Sequence, residues 1–231
     1  MKILLFVLVI GAAPIRGEEP APLQTGFVVI DGVFNSELIA PFDILEHSRY
    51  RKQRPIFRCF IVSPDGKPVR TAEGLVISAD YSFENCPALD VLVIPSTETS
   101  MSKDLEAGPY MNWIRARVDQ ARVVITLCDG AFPLAQTGRL DGKHATTFPG
   151  DQQVFAERFD KIKVHREVWF VQDGKFITSV GGAKSYEPAL YLAHMWFSQT
   201  YAKSLAGGLV IDWDLTKIPH RAFGNLPPLK K

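Results

Sequence analysis

The sequence predicts an α/β fold, a doubly wound, mostly parallel sheet flanked by helices in a flavodoxin-like three-layer sandwich, with a nucleophile elbow at one strand end. Three observations predict it. Short apolar runs at residues 26–30, 57–62, 89–95 and 123–125 read as buried strands, the last continuous and β-branched in the manner of a parallel sheet. Helical stretches separate these runs, so the crossovers are right-handed and cover both faces. Finally, Cys128-Asp129-Gly130 breaks the last run, and Ala131, Phe132, Leu134 and Ala135 continue at once as a helix ending near Gly138.

At 231 residues the chain suits one domain that buries roughly 70% of its unfolded surface. A formal net charge of +1 without any basic block excludes nucleic acid as an expected partner. Met1-Lys2 precede an apolar run over residues 3–13 that is too short to span a bilayer, and Pro14, Gly17, Glu18 and Glu19 follow. This pattern predicts a signal peptide over 1–17, cleaved near Ala13 or Gly17, then a linker over 18–24, the domain over 25–214 and a loose tail over 215–231. The expected location is therefore secreted or periplasmic, with no membrane anchor, since no lipid-bearing Cys follows the apolar run. In an oxidising compartment Cys59 and Cys86 can pair, which leaves Cys128 as the odd thiol, although spacing alone does not establish the bridge. No Cys/His spacing resembles a zinc site, and neither metal nor cofactor is expected.

In chain order, a strand at 26–30 closes at Asp31-Gly32. Asn35 or Ser36 is placed to cap the next helix, whose apolar positions Leu38, Ile39, Phe42, Ile44 and Leu45 carry it toward His47. Glu37 falls in its first turn, where an acid suits the helix dipole. After the strand at 57–62, Ser63-Pro64-Asp65-Gly66 is turn chemistry and 69–77 reads as a hairpin or a pair of edge strands. The strand at 89–95 is followed by a helix over 104–122 with Tyr110, Trp113, Ile114 and Val118 inside. Beyond the elbow come a short strand at 144–148, a helix at 151–159, a hairpin over 168–180 and a last long helix over 185–205 that stops at Gly207-Gly208. Residues 209–213 are a strand or loop. His194 reads as a helix-surface or satisfied core histidine.

In a doubly wound sheet the working crevice lies beyond the carboxyl ends of the strands, where 31–37, 95–99 and 128–130 converge. The elbow lifts the Cys128 side chain to that end, above a helix start, in a setting that favours a thiolate. Its bland alternative is a small core residue at a strand end.

The stretch V-I-T-L-C-D-G-A-F-P-L-A-Q-T-G-R-L-D-G-K-H-A-T-T resembles the C-T-G-A-F…A-G-L-L-D-G-R-x-A-T-T-H-W pattern of one subgroup of the ThiJ/PfpI superfamily, in the class I glutamine amidotransferase-like fold. That subgroup includes isonitrile hydratases and the sensing domains of AraC-like regulators. S-V-G-G-A-K-S-Y-E-P-A-L and L-V-I-D-W are similar to its later landmarks, and the likeness covers 25–214. The resemblance implies that Cys128 is the nucleophile and that Glu37 hydrogen-bonds it as acid/base partner. It also implies an oxyanion hole made by the Asp129 N–H with one from Ser96 or Thr97, beside Gly130. Three positions depart from the pattern. Asp129 follows the Cys, where peptidase and amidotransferase relatives place a His; Phe148 replaces the pocket His; and Pro95-Ser96-Thr97 replaces P-G-G. A peptidase triad is not expected, and an inward Asp129 would raise the thiol pKa.

Three functions stay open: an exported cysteine-dependent hydrolase or hydratase acting on a small molecule; a non-enzymatic small-molecule binding domain; and a redox or stress-response protein using Cys128 oxidation. The DNA-binding helices that follow L-V-I-D-W in the regulators are not expected here. Relatives often dimerise, so a homodimer is the assembly the resemblance implies.

Overall fold

The structure, a computed structural model, describes residues 21–51 and 56–229. Strand β1 (Leu23–Val28) leads to helix α1 (Asn35–Glu46), β2 (Phe57–Ser63), the short strands β3 (Val69–Arg70), β4 (Val76–Ile77) and β5 (Tyr81–Ser82), and then β6 (Val91–Ile94). Helices α2 (Lys103–Glu106) and α3 (Gly108–Gln120) return the chain to β7 (Val123–Leu127). A single 3-10 turn, Cys128–Gly130, joins β7 to α4 (Ala131–Gln136). There follow β8 (His144–Ala145), α5 (Gln152–Arg158), β9 (Lys163–Val164), β10 (Phe170–Asp173), β11 (Phe176–Ser179), α6 (Tyr186–Trp196), α7 (Gln199–Gly208) and β12 (His220–Phe223).

The main sheet has eight strands in the order β12-β10-β11-β7-β6-β1-β2-β5. Every pairing in it is parallel except that of β10 with β11, which a tight turn at Gly174 joins. Side-chain alternation divides the core in two. Phe27, Val91, Val93, Val123, Ile125 and Leu127 face one layer, with α1, α6 and α7. Val28, Leu92, Ile94 and Val124 face the other, against α3, α4 and α5. Both faces are covered, which is why these strands carry continuous apolar runs.

Several boundaries differ from expectation. The first strand starts at Leu23, inside the predicted linker, because Leu23 already pairs with Phe57. The helix expected over 104–122 is interrupted at Ala107, and Pro109 opens its second part. The last long helix breaks at Phe197, and Ser198 caps its second part by accepting from the Tyr201 N–H at 3.1 Å. Neither Asn35 nor Ser36 caps α1: Phe34 holds that position, and the Asn35 N–H is taken by Glu73 at 3.0 Å. Residues 209–213 contain no strand. The edge strand is formed instead by the presumed loose tail, where β12 pairs in register with β10 and completes the sheet. The Cys59–Cys86 bridge is absent, and all three cysteines are free. Cys59 packs with the α1/α6/α7 layer and Cys86 with the opposite one, so the sheet lies between the two sulfurs. The predicted signal peptide lies outside the described residues. No helix among the described residues is long and apolar enough to cross a membrane.

Leu92 is fully buried at the centre of the α3/α4/α5 layer. Leu92→Ala should lower the unfolding free energy by about 2–5 kcal/mol, read as a drop in the urea midpoint at unchanged slope.

Candidate functional site

The site is built where β7 ends. Cys128 has φ 52, a left-handed conformation that costs a non-glycine residue about 1–3 kcal/mol. Two glycines make the bend sterically feasible. A Cβ on Gly130 would stand 2.1 Å from the Ile94 carbonyl oxygen, so only glycine lets the chain pass the end of β6 this closely. On the other side Gly181, at φ +77, lies against Cys128, where a Cβ would sit 2.4 Å from the Cys128 Cβ. The thiol-bearing residue is left 8% exposed.

Glu37 reaches this point because the loops after β1 and β6 are tied together. Val33 bridges Thr97, the Phe34 N–H donates to the Ser96 carbonyl at 3.1 Å, and the Glu98 N–H donates to the Gly32 carbonyl at 3.0 Å. The first turn of α1 therefore sits over the end of β6. The Glu37 side chain is buried and holds three donors: the Ser96 N–H at 3.2 Å, the Ser96 hydroxyl, and the Gly182 N–H at 3.4 Å. The Ser96 hydroxyl proton is taken by Glu37, and Ser96 lies close enough to Cys128 to favour its ionised form. Thus Glu37 acts on Cys128 through its field and through Ser96. The direct hydrogen bond implied by the resemblance is not among the contacts formed.

The oxyanion donors are also arranged differently from the expectation. The Ser96 N–H is engaged by Glu37, and the Thr97 N–H donates to Ser100 Oγ at 2.8 Å. The Thr97 hydroxyl bonds the Asp104 carboxyl, drawing this residue away from the sulfur. The Asp129 N–H remains, close enough to Cys128 to favour its ionised form.

The electrostatics overturn the thiolate expected from the elbow. Burial pushes the Cys128 pKa far up, and the Glu37 and Asp129 carboxyls push it further; Ser96 and the Asp129 N–H oppose them without winning. Helix α4 has only 6 residues, too short a dipole to reverse the balance. The thiol is protonated at neutral pH.

Asp129 is half-buried and held by Thr147, whose hydroxyl donates to Asp129 Oδ1 at 2.8 Å and to the Cys128 carbonyl at 3.0 Å. Burial first, then the charge and hydrogen bond of Asp151 and the charge of Glu37, raise the Asp129 carboxyl to about 7 despite Thr147. Sequence reading assigned no role to Thr147, Asp151, Gly181 or Gly182. The double glycine in S-V-G-G-A-K-S was the available signal for the last two; nothing in the spacing joins Asp151 to Asp129. Among the described residues no group of three His, Cys, Asp or Glu is placed to hold a metal ion.

Comparison with known proteins gives the family. The chain is 31% identical over 171 residues to an isonitrile hydratase of Pseudomonas putida, a match covering 74% of this chain and 71% of the hydratase. It is 24% identical over 174 residues to the HTH-type transcriptional regulator GbdR of Pseudomonas aeruginosa, of whose length the match covers 46%. Among solved structures, a ThiJ/PfpI family protein from Pseudomonas syringae superposes with a TM-score of 0.74 at 23% identity, over 90% of this chain and 85% of the other. Drosophila melanogaster DJ-1beta gives 0.72 at 20% identity, over 84% of this chain and all of its own. Residues 25–194 match the DJ-1/PfpI family, and the chain belongs to that family.

Proposed function

We propose that the protein is a cysteine-dependent hydratase or hydrolase acting on a small molecule with an electrophilic carbon, the isonitrile of its Pseudomonas putida relative being the reference case. The observation that carries this reading is the strained backbone of Cys128, held at φ 52 between two glycines at the carboxyl end of the sheet. Strain of that kind persists where the surrounding structure enforces it, and it concentrates at functional sites.

The protonated thiol needs a base. Glu37 already accepts three hydrogen bonds and orients Ser96. Asp129, raised to about 7, has a proton affinity matched to general-base work near neutral pH. On an isonitrile the thiol proton passes by way of Asp129 to the substrate carbon as the S–C bond forms, giving a thioimidate. Water then adds to that carbon, the S–C bond breaks, the nitrogen takes a proton and the thiol is restored. The sum is one water added and an N-substituted formamide released. The regulator relatives support a second reading, a ligand-sensing domain without turnover, which suits a thiol kept protonated and mostly covered. We also propose that the chain is exported, on the signal-peptide pattern of residues 1–17.

Turnover of an alkyl isonitrile should fall to the uncatalysed rate in Cys128→Ala and by about 10²–10⁴-fold in Asp129→Asn. Full activity of Cys128→Ala would refute the enzymatic reading, and an inactive parent protein that binds the isonitrile would favour the sensing one. The pH profile gives a separate check. A base must be ionised, so kcat/KM should rise through about 7 and level off above it. Asp151→Asn removes a charge that raises Asp129, so the rising limb should move to lower pH.

A further inference from the structure

A cavity of about 510 Å³ opens on the far side of the wall that carries the elbow. Val180, in its lining, precedes the glycine packed on Cys128. Gln152, another lining residue, is buried and donates from its amide to Thr146 Oγ1 at 3.0 Å and to the Thr147 carbonyl at 3.4 Å. Thr147 in turn bonds the Cys128 carbonyl. The cavity and the thiol thus share one wall of two short segments.

The chemistry of the lining is uneven. Pro149, Val168, Trp169 and Val180 make apolar walls, while Arg166 and Lys184 bring two cations and Glu167 one carboxylate. Neither cation forms a salt bridge among the described residues. Lys184 Nζ lies 3.5 Å from the centroid of the Trp169 ring, an attraction that holds it at the cavity in place of an ion pair. The nearby acid whose field it reaches, Glu187, is already engaged by Trp213 Nε1 at 2.9 Å. Glu167 holds φ 58, so the segment that lines the cavity carries backbone strain of the kind concentrated at ligand clamps. Two cations against one carboxylate leave room for a single negative charge, and apolar walls with an aromatic face suit a flat hydrocarbon body.

We propose that this cavity, behind the wall that holds Cys128, binds a small organic monoanion, a carboxylate carried on a flat apolar body. The proposal is independent of the enzymatic reading above and is tested without turnover. The test uses the full-length Cys128→Ala protein, titrated with phenylacetate and with its neutral isostere phenylacetamide, and followed by calorimetry and tryptophan fluorescence. Phenylacetate should bind about tenfold more tightly than phenylacetamide, and the preference should shrink as salt is raised. Lys184→Met and Arg166→Met should each reduce the preference, and Lys184→Arg should restore it. Equal binding of the two probes, or a preference unchanged in the Lys184→Met/Arg166→Met double variant, would overturn the assignment.

Discussion

The structure depends on one bend. Between β7 and α4 the chain reverses within three residues, and it does so only because side chains are missing on both flanks. Gly130 slides past the Ile94 carbonyl, and Gly181 packs directly on Cys128. These two contacts fix the ends of β6, β7 and β11 against one another at the point where the parallel sheet opens. The left-handed Cys128 is the residue trapped between them. Its conformation is imposed by packing from both sides, so the sulfur keeps its place with no hydrogen-bonded cap on α4.

Charge sets the chemistry of that sulfur. Burial alone makes a thiolate unfavourable, and two nearby carboxyls add to the cost. The donors beside the sulfur are taken by Glu37: the Ser96 hydroxyl and the Ser96 and Gly182 N–H groups all bond the acid. The result is a neutral nucleophile beside a carboxyl whose hydrogen bonds are already filled, in which proton removal must accompany attack. The Asp129 carboxyl, raised to about 7 by burial and by Asp151, occupies the chemical niche that a histidine fills elsewhere.

Local chemistry was legible in the sequence wherever one segment decides it. The continuous apolar runs identified the core strands of a parallel sheet. The V-V-I-T-L-C-D-G-A-F stretch identified the elbow, and a helix start expected at Asn35 or Ser36 put Glu37 in the first turn of α1. What was not legible depends on contacts between segments. Spacing cannot show that Ser96 bonds Glu37, because that follows from the bridge of Val33 to Thr97. The proximity of Asp151 to Asp129 depends on how the Thr146–Phe148 segment leads into α5. Cys59 and Cys86 looked compatible with a bridge until the fold put Cys59, on β2, and Cys86, in the loop before β6, in opposite layers. The tail seemed loose because His220–Phe223 has no apolar run; an edge strand, exposed along one side, requires none.

Charge is distributed unevenly across the shared wall. On the elbow side two carboxyls, Glu37 and Asp129, act on a neutral thiol, and Asp151 acts on Asp129 behind them. On the cavity side Arg166 and Lys184 exceed the single Glu167. A small monoanion therefore meets attraction in the cavity and repulsion near the sulfur. The two faces of the Thr146-Thr147 segment thus select differently: an anion suits the one, and an uncharged electrophile suits the other.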